Sequence, residues 1–158
     1  MRTVGIAVVA MAALASGAAV FGPRVVGAGP APAVKWGPAP PFFPAGARFA
    51  VVQGDPSGSG VYTVRLEMPA GYVIKPHWHP TDEHVTVLSG RFLVGMGDSV
   101  DMKQTMALGQ DGFVTAPAQA HHFAIAARRT VVQVHGLGPF AITYVRPTDD
   151  PRGTTASQ

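Results

Sequence analysis

The chain has 158 residues, no cysteine, and a formal net charge of +3 at pH 7. That length holds one domain with a real core and is short for two. Without cysteine, a disulfide framework, thiolate catalysis and zinc–thiolate sites are excluded, so any metal ligands must be nitrogen and oxygen. Glycine and proline number 19 and 15 while charged residues make up only 13%, a mixture that suits short strands and tight turns better than helices.

Met1-Arg2 is followed by the uncharged, Ala/Gly-rich stretch Val4 to Val20, and Val26-Gly27-Ala28 offers small residues for a signal peptidase. Residues 1–28 therefore read as a secretory signal peptide, which places the mature protein in the periplasm or outside the cell. The competing reading is a retained anchor. The stretch lies at the bottom of the spanning range and is weakly apolar, so cleavage, with no stable membrane insertion afterwards, is the expectation. Losing Arg2 and Arg24 lowers the formal charge from +3 to +1. The one basic cluster left, Arg128-Arg129, reads as a solvated hairpin end, so no nucleic-acid partner is expected.

Residues 29–47 form a proline-rich arm carrying Trp36, Phe42 and Phe43. So much proline excludes helix and central strand. Two readings stay open, a flexible linker or an extended arm packed on the domain or on a neighbouring subunit. Strand candidates then follow closely. Arg48 to Gln53 is the first. Val61 to Met68 alternates, with Tyr62, Val64, Leu66 and Met68 on one face. Arg91 to Gly95 reads as a return strand after the Ser89-Gly90 turn. Met96 to Leu108, with Asp98, Asp101 and Lys103, reads as a surface loop or short helical turn. Gly112 to Ala116, His121 to Ala126, Thr130 to His135 and Phe140 to Val145 are the later strands, and the tail 147–158 reads as loosely held.

Chemistry concentrates in residues 71–90. His77 and His79 sit two apart, so an extended strand points both to one face. Glu83 follows after the bend Pro80-Thr81-Asp82, which can return a carboxylate toward the imidazoles. The pattern G-x5-H-x-H-x3-E-x6-G, from Gly71 to Gly90, resembles the first motif of the cupin superfamily at every fixed position. The second cupin motif, G-x5-P-x-G-x2-H-x3-N, is matched by Pro117 and His122 only. Asp111, Gln119 and Ala126 stand at its other fixed places. The resemblance covers about residues 48–145.

It implies an all-β double-stranded β-helix, a jelly-roll cupin barrel spanning residues 48–146. It also implies a metal held by His77, His79, Glu83 and His122, with His121 the substitute for His122. His84 has the wrong strand parity and reads as a structural or surface histidine. His135 reads as a core histidine. Ligands of this kind suit a divalent transition metal (Fe, Mn, Ni, Co, Cu or Zn) without choosing among them. The functional expectation is an exported metal-dependent oxidoreductase, dioxygenase- or oxidase-like, acting on a small oxygenated molecule, with Glu83 also serving as catalytic base. The alternatives are a metal-bearing module that binds or senses a small molecule without turnover, and a metal-free small-molecule-binding barrel. A homodimer is expected, because cupin barrels often pair through edge strands.

Overall fold

A computed structural model describes residues 33–153. The expected signal peptide, residues 29–32 of the arm and residues 154–158 lie outside the described residues. Among the described residues, eleven strands make two antiparallel sheets that face one another. The six-stranded sheet runs in the order β1 (Gly37–Pro38), β2 (Arg48–Gln53), β3 (Val61–Met68), β10 (Thr130–Leu137), β5 (Glu83–Ser89) and β8 (Phe113–Ala116). The five-stranded sheet runs β11 (Thr143–Tyr144), β4 (Tyr72–Trp78), β9 (His122–Ala126), β6 (Phe92–Met96) and β7 (Thr105–Leu108). This is the expected jelly-roll barrel. Among the described residues, no helix is long and apolar enough to cross a membrane.

The period-two pattern of β3 is fully expressed. Tyr62, Val64, Leu66 and Met68 are buried between the sheets, while Thr63, Arg65 and Glu67 are half-exposed. Burying each such aliphatic or aromatic side chain stabilises the fold by roughly 1.5–3 kcal/mol. Strand β9 is buried on both faces. His122, Ala124 and Ala126 point into the barrel, and Phe123 and Ile125 form a second apolar cluster with Leu93 and Val73 on the outer side. Gly95 lies opposite Phe123 in the β6–β9 ladder, and a Cβ there would run into the Phe123 ring. The glycine makes room for the aromatic.

The described part of the arm is docked on its own domain. Gly37–Pro38 pairs with Phe49 and Arg48 at the sheet edge, where proline is tolerated. Phe43 joins the core, and the hydroxyls of Tyr72 and Tyr144 donate to the carbonyls of Pro44 and Phe42. The packed body therefore starts ahead of Arg48.

Three sequence-based expectations need correction. The segment from Met96 to Leu108 ends in the edge strand β7, which pairs with β6; the loop and short helical turn expected there are confined to residues 97–101 and the 3-10 turn Met102–Gln104. The strand's exposed side chains gave no alternation to read. Only Thr143–Tyr144 of the expected strand 140–145 pairs, because Phe140 and Ile142 pack inward from a loop. The tail is also better held than expected through residue 153. A 3-10 turn spans Pro147–Asp149, and Arg152 bonds both Asp150 and the Ile142 carbonyl.

Candidate metal centre

The end of β4, the start of β5 and the start of β9 meet at one end of the barrel. His77 lies directly opposite His122 in the β4–β9 ladder. Their ring centroids are 4.3 Å apart, and His79 sits 5.0 Å from His77 and 5.2 Å from His122. All three are buried, with ligand nitrogens within 4.8 Å of one another.

The hydrogen bonds set their direction. Each Nδ1 contacts a backbone carbonyl: His77 that of Lys75 at 2.7 Å, His79 that of Ala141 at 2.7 Å, and His122 that of Ala120 at 2.9 Å. A carbonyl only accepts, so each Nδ1 carries the proton and donates it. Every Nε2 is then left for the centre. For His79 and His122 this atom is buried without any hydrogen-bond partner. Buried polar atoms of folded proteins are rarely left so, and an Nδ1–H bound to a carbonyl is the arrangement that readies an imidazole for a cation. The residues fit a metal ion.

Glu83 opens β5 with its carboxylate facing the same point. Its oxygens lie 3.5 Å from His79 Nε2 and 3.7 Å from His122 Nε2, ion-pair distances too long for a good hydrogen bond. It falls outside the tight three-histidine group. Burial works to raise the Glu83 pKa, but His79 and His122 outweigh it and hold the carboxyl well below its ordinary range. Burial likewise works to lower the pKa of His79, and the Glu83 charge reverses this and raises it. His77 has less carboxylate support. Burial, then the neighbouring His122 and His79, push it down to about 3.

The family model of the ChrR cupin-like domain matches residues 30–141, a span that includes all four of these residues. The chain belongs to this cupin family. No curated protein matches its sequence significantly. Among solved structures, this cupin is similar to a putative acetylacetone dioxygenase from Methylibium petroleiphilum PM1, at 22% identity over 75% of this chain and 79% of that one, with a TM-score of 0.57. It is also similar to the DMSP lyase DddQ from Ruegeria pomeroyi DSS-3, at 19% identity over 73% of this chain and 62% of that one, with a TM-score of 0.58. The polyketide cyclase RemF from Streptomyces resistomycificus is 16% identical over 66% of this chain and 75% of that one, with a TM-score of 0.54. At such identities the likeness is one of fold.

The other histidines of this cupin lie elsewhere. His121 faces outward and pairs with Asp98 at 2.6 Å. His84 contacts Thr115 Oγ1 at 3.0 Å and stacks on His135. His135 shares the half-exposed outward face of β10 with Gln133 and Val131, so it is not the core histidine expected.

Residues outside the motifs fix the site. Asp82 accepts the Ala118 backbone N–H at 2.8 Å, and Gln119 N–H donates to the His79 carbonyl at 2.8 Å, tying the β4–β5 turn to the β8–β9 loop. Thr81 bonds the Leu137 carbonyl, and Phe140 stacks on His79 at 5.6 Å. In the sequence Thr81 and Asp82 stood out only as the bend before Glu83, Gln119 only as a departure from the second motif, and Phe140 only as the start of an expected strand. The barrel interior beside the site is a cavity of about 30 Å³, walled by side chains such as Val85, Phe92 and Ala124.

Proposed function

We propose that this cupin binds one divalent transition metal through His77, His79, Glu83 and His122 and uses it on a small oxygenated molecule. The observation that carries this is the pair of buried, unpartnered Nε2 atoms aimed at Glu83. A bound metal would supply Lewis acidity or a route to dioxygen. The protein's own part is to orient three imidazoles through backbone carbonyls, to exclude bulk water with apolar walls, and to hold a carboxylate beside the reacting molecule. Glu83 is within ion-pair reach of two imidazoles but hydrogen-bonded to neither. A carboxylate held well below its ordinary range is a weak base, so Glu83 would take a proton only from a hydroxyl or enol that the metal had acidified. Dioxygenase, lyase and cyclase activities are named for proteins of this fold, and fold alone assigns none of them.

The narrow cavity supports a second reading, a metal-bearing module that binds a small molecule without turning it over. Elemental analysis of the purified protein and of Glu83→Ala tests the metal site. Oxygen uptake by iron- or manganese-loaded protein across diketones, flavonols, oxalate and small phenols separates the two readings. Uptake that needs Glu83 supports an oxidase or dioxygenase, and tight binding without consumption supports the module.

We also infer export, from the Arg-led apolar stretch of residues 1–28. Secreted material that begins at Met1 on N-terminal sequencing contradicts it. Pairing of barrels into a homodimer is tested by sedimentation, where a monomer at high concentration ends the idea.

A further inference from the structure

The walls around the proposed metal site say what kind of molecule it admits. Apart from His77, Glu83 and His122, every side chain lining the cavity is apolar. No lysine or arginine faces it. With the metal's charge partly balanced by Glu83, no protein cation is left to hold a dicarboxylate or a phosphate. The hydroxyls of a sugar would find no partners, at roughly 1–3 kcal/mol for each group left unpaired. The cavity has room for about two waters, enough for the head of a molecule and too little for its body.

The body has a place. A groove of about 180 Å³, lined by Val94, Gly95, Met96, Gln104, Met106 and Val114, shares its Val94 and Val114 walls with the cavity. It lies where β7 and β8, the edge strands of the two sheets, share no ladder. Met96 is directly opposite His122 in the β6–β9 ladder, and Met106 is opposite Val94 in the β6–β7 ladder. Residues directly opposite in an antiparallel pair present side chains to one face. Met96 therefore stands beside a metal-site histidine, and Met106 beside the shared wall. They are 53% and 58% exposed, and unbranched thioethers adapt to apolar partners of varied shape. A groove of about 160 Å³ by Phe42 and Phe140 also touches the cavity, but Phe140 is stacked on His79 and closes that side.

We infer that the molecule served by this site has an oxygenated head, neutral or giving up one proton to the metal, and an uncharged apolar chain. The head sits at His77, Glu83 and His122 and the chain lies in the groove past Met96 and Met106. The head's position rests on the metal reading above; the chain's does not.

The test uses cobalt(II)-loaded protein, methyl-labelled at methionine, titrated with acetohydroxamate, hexanohydroxamate and octanohydroxamate, and with oxalate as the charged comparator. The cobalt absorption spectrum reports the head, and methyl NMR shifts report the chain. Affinity should rise by up to about fourfold per added methylene. Shifts should grow at Met96 and Met106 while Met68, buried in the core, stays still. Met106→Asp should remove the chain-length gain and Met106→Leu should keep it, both with unchanged thermal midpoints. Affinity that ignores chain length, tighter binding of oxalate, or shifts confined to the Phe42–Phe140 side overturns the inference. Failure to take up cobalt would sink the metal reading alone, because chain-length-dependent shifts at Met96 and Met106 in the metal-free protein still decide the groove.

Discussion

His77 stands directly across from His122, although three positions separate it from Ile74 while only two separate His122 from Ala124. The difference is a β-bulge at Lys75–Pro76. Proline cannot donate to the ladder and belongs at such irregularities. Tyr72 and Ile74 point into the barrel, so unbroken alternation would aim Pro76 inward and His77 outward. The bulge reverses that parity and places both histidines of the His-x-His pair at the centre. Deleting Lys75 removes the extra residue, so regular pairing should return with His77 still opposite His122 on the inward face, and stoichiometric metal uptake should persist despite loss of the Lys75 carbonyl that orients His77. Circular dichroism would confirm that the strands persist, and elemental analysis would give the outcome.

Replacing a ligand should cost more than replacing its support. His122→Ala should lower metal affinity by more than the roughly 10- to 100-fold typical of losing a supporting hydrogen bond. His121→Ala should leave affinity unchanged, because His121 faces outward toward Asp98. Competition titration against a chelator compares the two, and the reverse ranking would exchange their roles.

The metal-free protein should weaken in acid. His77 ionises near 3 when folded and near 6.5 when unfolded. Between those values the unfolded chain holds the extra proton, so stability rises with pH there and is lost as pH falls from about 6.5 toward 3. Glu83, with its pKa lowered, acts in the same direction below its ordinary value of 4.5. His79, with its pKa raised, acts oppositely and loses its contribution as pH rises through its folded value. Thermal midpoints of demineralised protein across this range should climb with pH, and His77→Gln should flatten the climb.

Gln119 adopts φ +61°, the left-handed region, at the place where the second cupin motif carries glycine. A side chain there costs roughly 1–2 kcal/mol. Gln119→Gly should therefore raise stability by about 1 kcal/mol, read by chemical denaturation, with metal affinity unchanged because its backbone N–H still donates to His79.

Gly95→Ala should destabilise by roughly 1–3 kcal/mol, the cost of overpacking, since the new methyl meets the fully buried Phe123 ring. Pairing Gly95→Ala with Phe123→Leu should recover part of the loss.

Much of the fold was legible because β3 alternates cleanly and because the first motif fixes three site residues by spacing. His122 was legible through Pro117 five residues before it, and not through amphipathicity, since β9 is buried on both faces. Strand β7 was hidden because an exposed edge needs no alternation. The carbonyls of Lys75, Ala120 and Ala141 that orient the imidazoles belong to the backbone, so no residue type announces them. The outward turn of His135 was misread because a histidine between Val134 and Gly136 carries no mark of which face is covered.

The most direct measurement is a calorimetric titration of demineralised protein with manganese(II) or cobalt(II) near neutral pH, repeated in buffers of different ionisation enthalpy. One ion per chain should bind, with an apparent heat that depends on the buffer, because the cation competes with the proton that Glu83 favours on His79, whose pKa is raised. Absence of uptake, or unaltered uptake by a variant lacking His77, His79 and His122 together, would contradict a metal centre built from these side chains.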